Sequence, residues 1–115
     1  MIDITSREAS GVTVVDIEGK MNTEASPDAE KFVNALLEDG VINLLFNFER
    51  LDFVASTGLR VILSTGKKLS KIGGKLVLCS PNLTVMDVLK MSGFSKMFNV
   101  FDTEGEALSS FTQTK

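Results

Sequence analysis

The stretch Asp52-Phe53-Val54-Ala55-Ser56-Thr57-Gly58-Leu59-Arg60 decides the fold, because an apolar segment changes there into a helical pattern. Apolar residues lead up to Phe53, while Leu59 and Ile62 begin a series whose spacing fits one face of a helix. The two adjacent hydroxyl residues in the middle of the stretch are therefore expected at the start of that helix.

Ser56 and Thr57 are the residues of this stretch that can carry a switchable charge. A serine at a helix start can cap free backbone N–H groups, which stabilises the helix by about 1 kcal/mol. A phosphate there would be favoured by the same donors and by the positive end of the helix dipole. The residues alone favour the capping role, because a cap needs no modification.

Upstream of this junction the chain predicts a hairpin, a helix and a strand. Alternating residues around the turn Ser10-Gly11 indicate the hairpin, whose second strand is either buried on both faces or bulged. Ser26-Pro27 indicates a helix start with a serine cap, and Gly40 its end. The nearly continuous apolar run 41–48 predicts a central strand.

Downstream, strands and helices continue to alternate. Gly73-Gly74 is expected to stop the helix that begins at Ser56, and 76–79 is a short apolar strand. A helix is predicted from Asn82 to just before Gly93, a last strand within 97–101, and a closing helix after the capping-box residue Thr103. The resulting order, ββαβαβαβα, predicts an α/β fold in which helices pack against a mixed β-sheet.

Composition limits the class of protein. The chain has 115 residues, 43% hydrophobic and 23% charged, which fits one globular domain over residues 1–115. Its net charge of −3, without a long basic block, argues against nucleic-acid binding. A single cysteine, no signal peptide and no apolar stretch near the ~20 residues of a membrane span predict a cytoplasmic protein without membrane association.

The residue types needed for enzyme chemistry are largely missing. The chain has no histidine, which removes the usual general base and the commonest zinc ligand. Cys79 lies in an apolar strand and is expected to be buried. Gly66-Lys67-Lys68 does not complete a P-loop, because Val61 stands where that motif needs its first glycine. We therefore expect no catalytic residues, no metal and no cofactor.

Four segments in order resemble the STAS domains, in particular the bacterial anti-sigma factor antagonists. Residues 52–59 are similar to the family's signature of aspartate, phosphorylatable serine, Ser/Thr, Gly and Leu, except that Ala55 stands where the family often has Asp. Residues 19–22, 71–79 and 92–98 are similar to an early turn and to two later segments of the family. The resemblance covers nearly the whole chain and implies a single STAS-like domain.

The resemblance also implies a function. The unphosphorylated protein would bind an anti-sigma factor with a histidine-kinase-like ATPase fold, which acts as a serine kinase and releases the antagonist by phosphorylating it. A PP2C-type phosphatase would reset the switch. Ser56 is the implied phosphorylation site, with Thr57 as second choice. The implied partner-binding residues are Asn22, Asp52, Ala55, Ser56, Thr57, Gly58 and Arg60.

Other interpretations of the same residues stay open. Asn22 also fits a turn residue bonded to its own backbone, and Arg60 a solvated helix face. For the whole chain, the alternatives are a STAS scaffold or transporter-associated subunit that is never phosphorylated, and a small enzyme or nucleotide binder.

Overall fold

Six strands and five helices make up residues 2–112, the part of the chain that the computed structural model describes. In chain order they are β1 (Ile2–Ala9), β2 (Val12–Met21), α1 (Ser26–Glu38), β3 (Asn43–Asn47), β4 (Leu51–Val54), α2 (Ser56–Lys71), β5 (Lys75–Cys79), α3 (Leu83–Met91), α4 (Phe94–Met97), β6 (Asn99–Phe101) and α5 (Glu104–Thr112). The predicted order ββαβαβαβα is confirmed, with two short additions, β4 and α4.

The chain begins with a β-hairpin, as predicted. Strands β1 and β2 pair antiparallel, and the two turn residues Ser10 and Gly11 have positive φ angles of 52° and 79°. Positive φ at both central residues is the geometry of a type I′ turn, whose twist matches that of the flanking strands. Residues Val12 to Val15 are all buried, so the second strand is buried on both faces along this part.

Strand β2 divides its pairing between two neighbours. Residues 13–16 pair in parallel with β3, while residues 19–21 pair in parallel with β4, with a register irregularity between Gly19 and Lys20. The full sheet has the order β1-β2-β3-β5-β6, and β4 lies off this path against β2. The loop predicted at 19–22 is therefore wrong for its first three residues, because Met21 is fully buried at the end of β2.

Two separate cores lie on the two sides of the sheet. The side covered by α1 to α4, here the first face, holds the larger core, which includes Phe46, Phe48 and Ile62. The side covered by α5, the second face, holds a small cluster around Leu45, Cys79 and Ala107. Strand β3 supplies both, because its side chains alternate between faces and both faces are covered.

The predicted last strand is shorter than expected because a helical turn, α4, precedes it. Phe94 is buried, and its ring centroid lies 5.8 Å from that of Phe98. The Phe98 ring also packs closely on Gly66 of α2, where an added Cβ would lie 2.4 Å from a ring atom. Anchoring both rings on the first face requires the chain to turn there, so β6 begins only at Asn99.

Candidate functional site

Ser56 is the first residue of α2 and does not occupy the capping position. That position is held by Ala55, whose backbone is extended (φ −89°, ψ 173°) and whose carbonyl oxygen accepts from the Leu59 N–H at 3.0 Å. No side chain caps the helix. The expected capping role of Ser56 is therefore wrong, because the chain becomes helical one residue earlier than the hydroxyl pattern suggested.

The Ser56 side chain is consequently left exposed. Among residues 2–112 its hydroxyl has no hydrogen-bond partner, and the first turn of α2 contains no acidic residue. At a helix start the free backbone N–H groups and the helix dipole both favour an added negative charge. This hydroxyl can therefore be modified without breaking a contact of the fold.

Thr57 is placed very differently from its neighbour. It is half-buried, and its Oγ1 lies 3.1 Å from the Oγ of Ser26, the first residue of α1. The Ser26 hydroxyl also lies 2.7 Å from the Asn22 carbonyl oxygen, which can only accept a hydrogen bond. Ser26 therefore donates to Asn22 and accepts from Thr57, and Thr57, as the second residue of α2, does not stand at the capping position.

Asn22 closes the turn that leads into α1. Its Oδ1 accepts from the Ala25 N–H at 2.9 Å, which confirms the predicted turn role. The predicted capping role of Ser26 is wrong. Ala25 holds the capping position of α1, and Ser26 lies inside the first turn with only 4% of its surface exposed. No local sequence pattern predicts the contact between Ser26 and Thr57, because the two residues are 31 positions apart.

A backbone hydrogen bond ties the two loops together. The Ala55 N–H donates to the Met21 carbonyl oxygen at 2.9 Å, so the residue before Asn22 is bonded to the residue before Ser56. Together with the Ser26–Thr57 contact, this bond holds the starts of α1 and α2 side by side. The structure thus brings Asn22, Ala55 and Ser56 together at the adjoining starts of α1 and α2.

Gly58 is buried where α2 packs on the ends of β2 and β4. An added Cβ would lie 2.7 Å from Val54 Cγ2 and 2.8 Å from Met21 Sδ. Only a residue without a side chain allows this approach, so Gly58 fixes the position of the helix start and is not exposed to a partner. Asp52 and Arg60, in contrast, are both exposed on either side of the junction.

A second polar feature, on the second face, was not predicted. Arg7 bonds Asp16 through Nε at 2.7 Å and also forms an ion pair with Glu104 of α5. Asn47 donates from Nδ2 to Glu104 at 2.8 Å, while its Oδ1 accepts from the Glu49 N–H. These groups border a groove of about 690 Å³.

Titration of this cluster follows from its hydrogen bonds. The Arg7 guanidinium, by hydrogen bonding to the carboxylate, lowers the pKa of Glu104 below its ordinary value, and Asn47 acts in the same direction. Hydrogen bonds to Glu104 and Asp16 raise the pKa of Arg7 further above its already high value. Arg7 and Glu104 are therefore both charged at neutral pH, and their ion pair tethers α5 to the hairpin.

Cys79 is buried in β5, as predicted. Burial raises the pKa of its thiol to about 11, so it is protonated at neutral pH and unsuited to nucleophilic chemistry. Within residues 2–112 there is no group of three side chains that could hold a metal ion. No helix in the same range has the length and apolar character to cross a membrane.

The sheet has parallel strands with an antiparallel hairpin at one edge, and an exposed serine begins the second helix of the chain. This arrangement defines the class of domain to which the chain belongs. The STAS domain model matches residues 3–107, and the chain is a member of the STAS domain family. It is 30% identical over 108 residues, covering 94% of this chain and 93% of the relative, to the candidate anti-sigma factor antagonist BtrV of Bordetella bronchiseptica.

Solved structures share the same fold. An anti-sigma factor antagonist from Mycobacterium paratuberculosis superposes with a TM-score of 0.91 at 23% identity, covering 98% of this chain and 96% of that one. The antagonist SpoIIAA in its unphosphorylated form gives 0.81 at 24% identity, covering 98% and 99%. The phosphorylated form of Bacillus SpoIIAA gives 0.73 at 23% identity, covering 95% and 99%. The predicted fold class is thereby confirmed.

Proposed function

We propose that this chain is an anti-sigma factor antagonist whose binding is switched by phosphorylation of Ser56. The observation that carries the proposal is the exposed, unbonded Ser56 hydroxyl at the start of α2 in a STAS domain. Its relative BtrV is named as a candidate anti-sigma factor antagonist. SpoIIAA, which has the same fold, has been solved in unphosphorylated and phosphorylated forms. The chain acts as a cytoplasmic binding module without catalysis of its own.

In this mechanism the unphosphorylated chain binds an anti-sigma factor and frees the sigma factor. The partner has a histidine-kinase-like ATPase fold and phosphorylates Ser56, and a PP2C-type phosphatase removes the phosphate. The kinase provides nucleotide and Mg²⁺, so the antagonist contributes only the hydroxyl and the surface around it. That surface comprises Asn22, Asp52, Ala55 and Ser56 with Arg60, while the buried Gly58 and half-buried Thr57 support it from below.

The two hydroxyls are not equivalent as phosphate acceptors. Transfer to Thr57 would require breaking its contact with Ser26, one of the two contacts that hold the starts of α1 and α2 side by side. Transfer to Ser56 breaks no side-chain hydrogen bond among the described residues. The structure thus favours Ser56 over Thr57, and the absence of a carboxylate at Ala55 reduces repulsion toward the phosphates of ATP.

The phosphate interferes with binding at the contact itself. It adds about −1.5 to −2 charge and three acceptor oxygens at pH 7. Docking would then bury a dianion without a matched cation on the partner, which costs several kcal/mol and changes affinity by orders of magnitude. The domain does not have to refold for this switch to operate.

The test measures binding to, and phosphorylation by, a kinase-like anti-sigma factor from the same genome. We expect calorimetry to show that Ser56→Asp weakens binding at least tenfold, while Ser70→Asp, the same change at the exposed far end of α2, leaves it intact. With ATP, the wild-type chain should give a phosphate-retarded band that Ser56→Ala abolishes.

Equal affinities for wild type and Ser56→Asp would contradict the proposed switch. A phosphorylated band that survives in Ser56→Ala but disappears in Thr57→Val would move the acceptor to Thr57. No band with any kinase-like anti-sigma factor of the genome would favour the alternative, a STAS scaffold or transporter-associated subunit that is never phosphorylated.

A further inference from the structure

Arg60 lies one helical turn after Ser56 on α2. Residues four apart on a helix are neighbours on its surface, about 5–6 Å between Cβ atoms. Side chains in a helix lean toward its N-terminus, so a long side chain at position 60 extends over the turn that begins with Ser56. A group attached to the Ser56 hydroxyl is therefore within reach of the Arg60 guanidinium.

Arg60 differs from the other two arginines of the chain. Arg7 is bonded to Asp16 and Glu104, and Arg50 lies 3.8 Å from Glu18. Arg60 is exposed and, within residues 2–112, has no carboxylate within 4.0 Å and no side-chain hydrogen bond. Its five N–H donors are thus available to bind a phosphate, a group that the unmodified chain does not contain.

The surroundings of Arg60 leave room for such a group. It borders a cleft between α1 and α2 that Thr57 and Glu30 also line. Glu30 does not form an ion pair with it in the described structure, and the first turn of α2 has no acidic residue that could compete. A phosphate on Ser56 would therefore be the nearest partner for Arg60 along its own helix.

We propose that Arg60 is the intramolecular counter-ion of a phosphate on Ser56. This inference rests on the proposed function and describes how the modified form is stabilised. The planar guanidinium binds two phosphate oxygens through parallel N–H donors, a geometry that lysine cannot reproduce. Phosphorylation then changes the docking surface twice, since it adds negative charge and withdraws the Arg60 cation from any partner.

The test uses the chain with phosphoserine installed at position 56 during translation, so that no kinase is needed. The second ionisation of the phosphate is followed by ³¹P NMR. Its pKa is about 6 when no charged group lies nearby. A nearby cation favours the dianion, so we expect its pKa to be lower in the wild-type chain than in Arg60→Gln by about half a unit. Arg60→Lys should recover only part of this shift.

Lys67→Gln is the matched control. Lys67 is exposed on the same side of α2 but three turns further along, about 16 Å from position 56. At physiological salt its charge is screened over that distance, so its removal should leave the phosphate pKa unchanged. Equal pKa values in wild type and Arg60→Gln, or equal shifts from Arg60→Gln and Lys67→Gln, would overturn the pairing.

The two proposals fail in distinguishable ways. If cells never phosphorylate Ser56, the proposed function fails, although the installed phosphoserine still reports whether Arg60 binds it. If Arg60 has no effect on the phosphate pKa, the pairing fails while the partner-binding results for Ser56→Asp stand. Arg60 is exposed, so its variants should keep the wild-type melting temperature, which circular dichroism checks.

Discussion

The two faces of the sheet are stabilised in different ways. On the first face, α1 to α4 cover a core of fully buried side chains such as Phe46 and Ile62. On the second face a single nine-residue helix, α5, buries Ala107 and is tethered by the ion pair between Arg7 and Glu104. The first face depends on hydrophobic burial, which is insensitive to pH, whereas attachment of α5 depends partly on charge.

Ser56 lies on the first face, which is the more extensively packed of the two. Its helix, α2, belongs to the well-packed first face, and the close contact at Gly58 fixes the helix start on β2 and β4. A charge added there meets a rigid support, so it alters the surface without loosening the core. Residues on the second face should respond more strongly to changes in pH and to charge substitutions.

The largest expected contrast comes from truncating one phenylalanine on each face. Phe46→Ala removes a fully buried ring from the first face and should lower the free energy of unfolding by about 3–5 kcal/mol. Phe111→Ala removes a half-buried ring of α5 and should cost only about 1–2 kcal/mol. Urea denaturation measures both, and equal losses would show that the two faces contribute alike.

Two glycines allow the same comparison at the helices. Gly58→Ala forces a Cβ into Val54 and Met21 and should destabilise the fold by about 1–3 kcal/mol. Gly105 in α5 has no atom within 4 Å of an added Cβ, so Gly105→Ala should stabilise by about 0.5 kcal/mol through helix propensity. A stabilising Gly58→Ala in thermal or urea unfolding would refute the close packing at the helix start.

Acid should loosen the second face before the first. Because the pKa of Glu104 is lowered in the folded chain, its stabilising effect is present above the unfolded value near pH 4.3 and is lost as pH falls through the folded pKa. Cys79 lies beneath α5, so its rate of reaction with 4,4′-dithiodipyridine, normalised to a peptide thiol, reports on opening. We expect that rate to rise as the pH falls below about 4.3.

A substitution should reproduce this effect at neutral pH. Glu104→Gln keeps the side-chain shape but removes the charge, and the exposed ion pair contributes about 0.5–1 kcal/mol, so the Cys79 rate should rise about two- to fivefold. Glu106→Gln, on the same helix but outside the ion pairs, is the control. Similar rates in the two variants would exclude a role of Glu104 in holding α5.

The smallest expected effect is that of Ser56→Asp on stability. The Ser56 side chain makes no hydrogen bond in the described structure, and an acidic group at a helix start is mildly favourable. The melting temperature should therefore stay within about 2 °C of wild type. Ser26→Asp, in which the buried hydroxyl bonded to Asn22 is replaced, should lower it clearly.

The regular elements could be predicted because each has a local cause. The alternation around Ser10-Gly11 and the capping spacing at Thr103 are both found in the structure, where Thr103 Oγ1 accepts from the Glu106 N–H at 3.2 Å. The short elements β4 and α4 were missed because neighbours distant in sequence determine them. β4 forms on the far end of β2, and α4 ends directly before Phe98, whose ring packs on Gly66 of α2.

In the candidate site, too, features with a local cause could be predicted and contacts between distant residues could not. The motif around Ser56 predicted the approximate helix start, but not that Ala55 would hold the capping position. The contact from Ser26 to Thr57 and the ion pair from Arg7 to Glu104 join residues 31 and 97 positions apart. No local periodicity encodes such contacts, so they became visible only in three dimensions.

The shared strand β2 constrains how this chain can change in evolution. Its first half aligns with β3 and its second half with β4, so a one-residue insertion between Thr13 and Asp16 would reverse the in/out order of every side chain beyond it. Met21 would then face solvent and Lys20 the interior. Length variation should therefore be tolerated at the Ser10-Gly11 turn and selected against inside β2, whose end is bonded to the residue before Ser56.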